Sequence, residues 1–274
     1  MTTFNLQLTS DEEQISVLQL TDSHLFAEES GTLLGVRTAD SFTAVLESII
    51  NQDIHFDFVV VTGDISQDYS VSSYQRFAQY IATLKKPVFF VPGNHDDGPL
   101  MYRILGDFGV HTERSLVCGN WHFVFLNSEV YSVPHGWVER DQLAFLKKQC
   151  ELYPHLNTVV LVHHLPQLVN SSWLDTQTMH NSDEFNSFIS NFSNIKLVLS
   201  GHVHQEYDQF FNGVRYIATP STSIQFEPFS YDFALDMQGP GWRYLRFDRS
   251  GGIDTQVFRL PSGRFIPDTG VGGY

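Results

Sequence analysis

Five short segments of this chain hold residue types that bind metal ions: Asp22-Ser23-His24, Gly63-Asp64, Gly93-Asn94-His95-Asp96, His163-His164 and Gly201-His202-Val203-His204. Carboxylates supply negative charge, neutral imidazoles supply nitrogen lone pairs, and the asparagine amide supplies a neutral oxygen. Asparagine is a poor ligand by charge, so its use makes sense beside carboxylates that already neutralise the metals. Asp22 and His24, two residues apart, can both turn into one cleft where a strand stops. Gly63-Asp64, met alone, is also a common turn. Gly93 allows the tight turn that presents Asn94 and His95, and His202 and His204 lie on one side of an extended segment. A single Asp or His is usually a hydrogen-bonded surface residue. A whole set of them in one shared setting is hard to explain by packing.

That setting is the end of an apolar run. Ile15–Leu20, Phe58–Val61, Val88–Val91, Thr158–Val162 and Ile195–Leu199 precede the five segments in turn. Runs of four to six β-branched and aromatic residues read as buried strands. Open α/β sheets bind ligands along the carboxyl edge of parallel strands, where such segments converge. Between the runs, helical spacing covers Thr38–Asn51, Ser70–Leu84 with Ser70 as N-cap, a short stretch after Pro99, and Glu139–Cys150. Trp121–Leu126 alternates like a strand. After His204 the pattern changes to hairpins, one turning at Asn212-Gly213 and one at Ser250-Gly251-Gly252. Leu165–Asn181 lacks periodicity and follows a motif, as a substrate-covering loop would. The expected architecture is an αββα sandwich: two packed mixed sheets flanked by helices, with the dimetal site at the strand carboxyl ends. It forms one domain over 1–274, with 1–14 as an N-terminal tail and 205–274 as its hairpin-rich part.

The composition, 42% hydrophobic and 17% charged over 274 residues, argues for a folded chain with a substantial core. A net charge of −15 excludes nucleic acid and anionic membranes as ready partners. Cys118 and Cys150 have no C-x-x-C spacing and read as reduced structural thiols. The first residues lack a signal peptide's basic and apolar regions, and no stretch approaches the ~20 apolar residues of a membrane span. A cytoplasmic location is expected.

The order D-x-H, G-D, G-N-H-[DE], H and G-H-x-H resembles the calcineurin-like metallophosphoesterases. Within them, the bacterial class III 3′,5′-cyclic-AMP phosphodiesterases are suggested by longer stretches: Gln19–Phe26, Ser171–Asp175, Ala218–Thr222 and Phe265–Thr269. The resemblance implies one metal held by Asp22, His24, Asp64 and His204, and another by Asp64, Asn94, His163 and His202, with Asp64 bridging. His163 is preferred to His164 because it directly follows Val162. Asp64, Asn94 and His95 are the implied catalytic residues, and His24, Asn94, His95, His164 and His204 are implied to meet substrate. The implied cofactors are two divalent or mixed-valence ions, Fe and Mn foremost, with Zn or Co as alternatives. Such a pair, ~3.5–4 Å apart, lowers the pKa of bound water to about 7. A metal-bridging hydroxide would then attack phosphorus in line, with His95 protonating the departing 3′-oxygen. Asp68 either orients His95 or bonds amides at the start of the next helix; Asp96 carries a weaker signal, and His135 reads as a loop histidine. The implied partner is a small cyclic nucleotide, and the protein would be a monomer or homodimer. A related enzyme for another small phosphate ester, such as a 2′,3′-cyclic nucleotide or a glycerophosphodiester, is the nearest alternative, because fold does not settle substrate. A non-catalytic sensor would keep these ligands without turnover, but no motif position is visibly disabled.

Overall fold

Apolar runs without alternation need burial on both faces, and the fold provides it. The computed structural model describes residues 3–7, 14–271 and 273. The strands of its first half are β1 (Phe4–Leu6), β2 (Gln14–Leu20), β3 (Thr32–Leu33), β4 (Val36–Arg37), β5 (Phe58–Val61), β6 (Val88–Phe90), β7 (Ser115–Cys118) and β8 (Trp121–Phe125). Those of the second half are β9 (Asn157–Leu161), β10 (Ile195–Ser200), β11 (Tyr207–Phe211), β12 (Val214–Ala218), β13 (Gln225–Phe226), β14 (Leu235–Asp236), β15 (Gly241–Asp248) and β16 (Ile253–Arg259). The helices are α1 (Thr38–Asn51), α2 (Val71–Ile81), α3 (Gly98–Asp107), α4 (Arg140–Leu152), α5 (Ser172–Asp175) and α6 (Ser182–Ile189).

A five-stranded sheet runs β16-β15-β2-β5-β6, and a seven-stranded sheet runs β1-β7-β8-β9-β10-β12-β11. The strands that carry the motifs are parallel within each sheet: β2, β5 and β6 in one, β9 and β10 in the other. Residues of alternate parity face opposite ways. In β5, Phe58 and Val60 face inward and meet Phe123, Val159, Leu161 and Leu199 of the other sheet. Val59 and Val61 face outward and pack with Phe42 and Val45 of α1 and with Tyr74 and Phe77 of α2. Val124, Val160 and Val198 do the same on the other side, against Leu143 and Leu146 of α4 and Phe185 and Ile189 of α6. The layers are therefore αββα, as expected.

Ser70 caps α2, its hydroxyl accepting the Ser73 N–H at 3.0 Å, a contact worth about 1 kcal/mol. Asn212 and Gly213, both at positive φ, close the β11–β12 hairpin, as a type I′ turn requires. Part of the segment read as a tail is ordered into the sheet: Phe4–Leu6 pair in parallel with Ser115–Cys118, and Gln14 already belongs to β2. The rest of that segment, 1–2 and 8–13, lies outside the described residues. Both β1 and β7 are too short for alternation to register. Among the described residues no helix is long and apolar enough to cross a membrane.

The fold also buries a histidine on β8. Ser115 donates to Gln149 at 2.9 Å, so His122 Nε2–H donates to Ser115 Oγ at 2.8 Å. Nδ1 is left as a buried lone pair with no hydrogen-bond partner among the described residues. Burial lowers this imidazole to about 4, against about 6.5 in an unfolded chain. Below about pH 6.5 the unfolded chain takes up a proton that the fold refuses. The resulting stability is complete above that pH and is lost as pH falls towards 4, by about 2 kcal/mol between pH 7 and pH 5. His122→Gln should flatten the pH dependence of urea unfolding by that amount. Parallel curves for the two proteins would show that His122 is not the titrating group.

Candidate metal centre

Each motif sits where a strand ends and the chain must turn at once. Asp22, His24, Asp64, His202 and His204 all adopt left-handed backbone, with φ of 55°, 46°, 51°, 68° and 48°. Such non-glycine conformations cost about 1–3 kcal/mol each and persist only where the surroundings hold them. Here they are held. Asp22 N donates to Gly63 O and His24 N to Asp64 O, both at 3.0 Å. The Asp22 carbonyl accepts from Ser221 Oγ at 2.7 Å and from Ser223 Oγ at 3.1 Å. His202 N donates to the Asp22 carboxylate at 3.1 Å. Gly93 is demanded by proximity, since a Cβ there would lie 2.2 Å from Asp64 Oδ1.

The imidazoles are oriented from behind. His24 Nδ1 donates to Gln67 Oε1 at 2.7 Å, His163 Nδ1 to Thr62 O at 2.6 Å, His204 Nδ1 to Ile224 O at 2.9 Å and His202 Nε2 to Gln177 O at 2.9 Å. Those oxygens only accept, so in the neutral rings the opposite nitrogen carries the lone pair. The lone pairs converge. His24 Nε2 lies 3.1 Å from His204 Nε2, and His163 Nε2 lies 3.1 Å from Asn94 Oδ1 and 3.3 Å from Asp64 Oδ2. His202 Nδ1 lies 3.0 Å from Asn94 Oδ1, and His204 Nε2 lies 3.4 Å from Asp22 Oδ1. His24 Nε2 is 3.8 Å from Asp64 Oδ2. Apart from His163, whose ring holds a proton against Asp64 in the metal-free chain, these are acceptors facing acceptors, which repel unless a cation lies among them.

Electrostatics agree with the geometry. Burial lowers His24 and His202 to about 3. For Asp64, burial would raise the carboxyl, but His163 and His95 beside it hold it well below the usual range. For His163, burial acts downward, yet Asp64 and Asp22 lift it to about 9. In the metal-free chain this proton lies against the carboxylates, and a metal must displace it.

Residues 15–206, which span all five motifs, match the calcineurin-like phosphoesterase family. The chain belongs to the calcineurin-like phosphoesterases. It is 45% identical over 267 residues, 97% of each chain, to the 3′,5′-cyclic adenosine monophosphate phosphodiesterase CpdA of Vibrio vulnificus. It is 42% identical over 264 residues, 96% of each chain, to the CpdA of Escherichia coli K12. In fold it is similar to a dimetal phosphatase from Danio rerio, with a TM-score of 0.59 and 15% identity over 90% of this chain and 99% of that one.

The residues present fit the two metal ions of a dimetal calcineurin-like phosphoesterase. Asp22, His24 and His204 form one group whose ligand atoms lie within 4.8 Å of one another, and Asp22, Asp64 and His163 form another. Asp22, His24, Asp64 and Asn94 follow strands of the five-stranded sheet, whereas His163, His202 and His204 follow strands of the seven-stranded one. The centre sits on the seam between the sheets.

His163 and His164 part ways by strand parity. His163 shares the inward parity of Val159 and Leu161 and faces Asp64. His164 is close enough to His163 and His202 to form a third group, but its ring is engaged elsewhere: Nδ1 meets Ser128 Oγ at 2.8 Å and Nε2 meets Pro134 O at 3.2 Å. It is fully buried, and burial drives its imidazole well below its ordinary value. It anchors the loop carrying Ser132, Val133 and Pro134.

His95 stands edge-on to the His24 ring at 5.1 Å, and its backbone N–H donates to Asp64 Oδ1 at 2.8 Å. Asp96 accepts the N–H groups of Gly93, Ser66 and Ile65 at 3.0, 3.0 and 3.3 Å, tying the two glycine-containing turns together. Asp68 bonds the amides of Ala27 and Ser70, which favours its amide-binding role. His135 stacks on His180 with centroids 3.7 Å apart, in loops beyond the cluster.

A cavity of about 570 Å³ opens over Asn94, His95 and His202. Its other walls include Tyr69, Trp173, Leu174, Gln177 and Phe233. Trp173, Leu174 and Gln177 lie in the Leu165–Asn181 segment expected to cover the substrate, whereas sequence reading assigned neither Tyr69 nor Phe233 to the site. Tyr69 follows the Gly-Asp motif closely, and its hydroxyl donates to Asn94 O at 3.3 Å. Trp173 lies in a stretch that the cyclic-nucleotide resemblance had marked.

Proposed function

We propose that this chain is a cytoplasmic, metal-dependent phosphodiesterase that opens 3′,5′-cyclic AMP to 5′-AMP. The observation carrying the reading is 45% identity, along 97% of both chains, to a protein named for that activity. Asp22, His24, Asp64 and His204 would hold one ion, and Asp64, Asn94, His163 and His202 the other. The Asp, Asn and His donor set suits Fe and Mn, and also Zn. When bound, such ions supply Lewis-acid polarisation of the phosphate and a nucleophile at neutral pH.

The protein's own groups do the rest. The carbonyls behind His163, His202 and His204 keep each ring in one tautomer, an arrangement that raises ligand basicity. Asp96 and the Ser221–Ser223 hydroxyls hold the strained turns in place. His95, on the cavity wall beside Asn94, would protonate the departing 3′-oxygen, a basic alkoxide. The acidic surface and the two buried free thiols, Cys118 and Cys150, suit a reducing cytoplasm.

Incubation of Mn²⁺-loaded protein with cyclic AMP, followed by chromatography, should yield 5′-AMP. Accumulation of 3′-AMP would overturn the assigned bond cleavage. Inert cyclic AMP alongside turnover of 2′,3′-cyclic nucleotides or glycerophosphodiesters would overturn the substrate.

A further inference from the structure

The cavity lining is of two chemical kinds. Asn94, His95 and His202 are the polar groups, where a phosphodiester belongs. Trp173 and Leu174 of α5, with Phe233 ahead of β14, supply an apolar wall that is mainly aromatic. Trp173 stands edge-on to Phe226 and Phe233, with both centroid distances 5.0 Å. Phe226, 1% exposed, backs the wall and stacks in turn on the His204 ring at 4.3 Å and 13°. The wall is thus built directly onto the metal centre. It is also rigid: Ser172 N donates to Ser230 O at 3.0 Å, Asp175 Oδ1 accepts Val169 N at 2.8 Å, and Gln177 O accepts from His202.

We infer that the indole of Trp173 is the platform on which the nucleobase of the substrate stacks. The inference rests on the cyclic-nucleotide reading above. A cyclic nucleotide joins a phosphodiester to a flat heteroaromatic base through one ribose, so anchoring the phosphate carries the base into the adjoining wall. Trp173 is half-buried, leaving part of its surface to the cavity, whereas Phe226 is covered. A preset platform loses little conformational entropy on binding. The indole N–H is itself buried and without a hydrogen-bond partner among the described residues. The wall therefore recognises a flat face rather than a base edge.

Base–aromatic stacking corresponds to about 5- to 150-fold in affinity. Trp173→Leu should raise KM for cyclic AMP about 10-fold or more and leave kcat within about two-fold. Trp173→Phe, which restores a flat ring, should recover most of that loss. Ribose 3′,5′-cyclic phosphate, which lacks a base, should show the same KM with the wild type and with Trp173→Leu. Intrinsic fluorescence of the wild type should be quenched on titration with 5′-AMP, and that quenching should be lost in Trp173→Phe. Equal KM shifts for both substrates, or none for either, would overturn the platform. A shift in Tyr69→Leu without one in Trp173→Leu would also overturn it, moving the base to the Tyr69 ring. Failure of the wild type to hydrolyse cyclic AMP would instead remove the reading beneath it, separately from either variant.

Discussion

Asp64→Asn should lose most of its bound metal and nearly all activity while remaining folded. Asp64 is 1% exposed, and its carboxylate faces His163 at 3.3 Å and His24 at 3.8 Å. Those rings belong to the two different proposed ligand sets, so on that assignment one side chain would serve both ions. Asparagine keeps the volume of the side chain that packs against Gly93, where an added Cβ would lie 2.2 Å from Asp64 Oδ1. Altering a group one layer behind a metal typically costs about 10–100-fold, and removing the shared charge should cost at least about 10³-fold in kcat/KM. Elemental analysis of the dialysed variant should find well under two ions per chain. Full metal occupancy with activity lost would mean that Asp64 acts on the substrate and is not the bridge.

His95→Ala should depress turnover of cyclic AMP by about 10²–10⁴-fold, the range for general acid assistance, with metal content unchanged. A p-nitrophenyl phosphodiester, whose phenolate departs without a proton, should lose much less. The contrast between substrates is the decisive reading. His95 lines the cavity next to Asn94, and its backbone N–H to Asp64 survives the substitution. Equal losses on the two substrates would assign it to charge stabilisation. Loss of an ion would make it a support for the neighbouring His24 ring, against which it packs.

The parts of the fold buried on both faces were legible in the chain. Phe58–Val61 is a run with no polar residue because neither of its faces meets water, and its bounds were read directly. The motif residues were legible for the same reason, since each breaks an apolar run at its end. What stayed hidden depends on partners distant in sequence. The β1–β7 pairing joins Phe4 to Leu116, and no local pattern announces it. Arg243 is 1% exposed between the sheets, donating to Ala218 O, Thr219 Oγ1 and Thr255 Oγ1 without a carboxylate partner among the described residues. It shares the inward parity of Leu245 and Phe247, but its charge argues against burial until the oxygens that receive it are known. The aromatic wall comes from a one-turn helix and a two-residue strand pair, elements too short to carry a period. The preference for His163 over His164 comes from the end of the Thr158–Val162 run, whereas the strand parity that sets the two rings apart is readable only once the facing sheet is known.

The seam position of the metal centre ties the integrity of the protein to its supply of cofactor. The proposed ligands are drawn from both sheets, so ions held among them cross-link two layers that otherwise meet only through apolar packing and scattered hydrogen bonds. Binding to the native state alone adds stability by mass action, about 2.7 kcal/mol when free metal is a hundredfold above its dissociation constant. A cell starved of the metal would then lose more than catalytic turnover. The emptied protein, its acceptors left in mutual repulsion, would open more often and fall to proteolysis. Its abundance would follow the availability of the ion it needs.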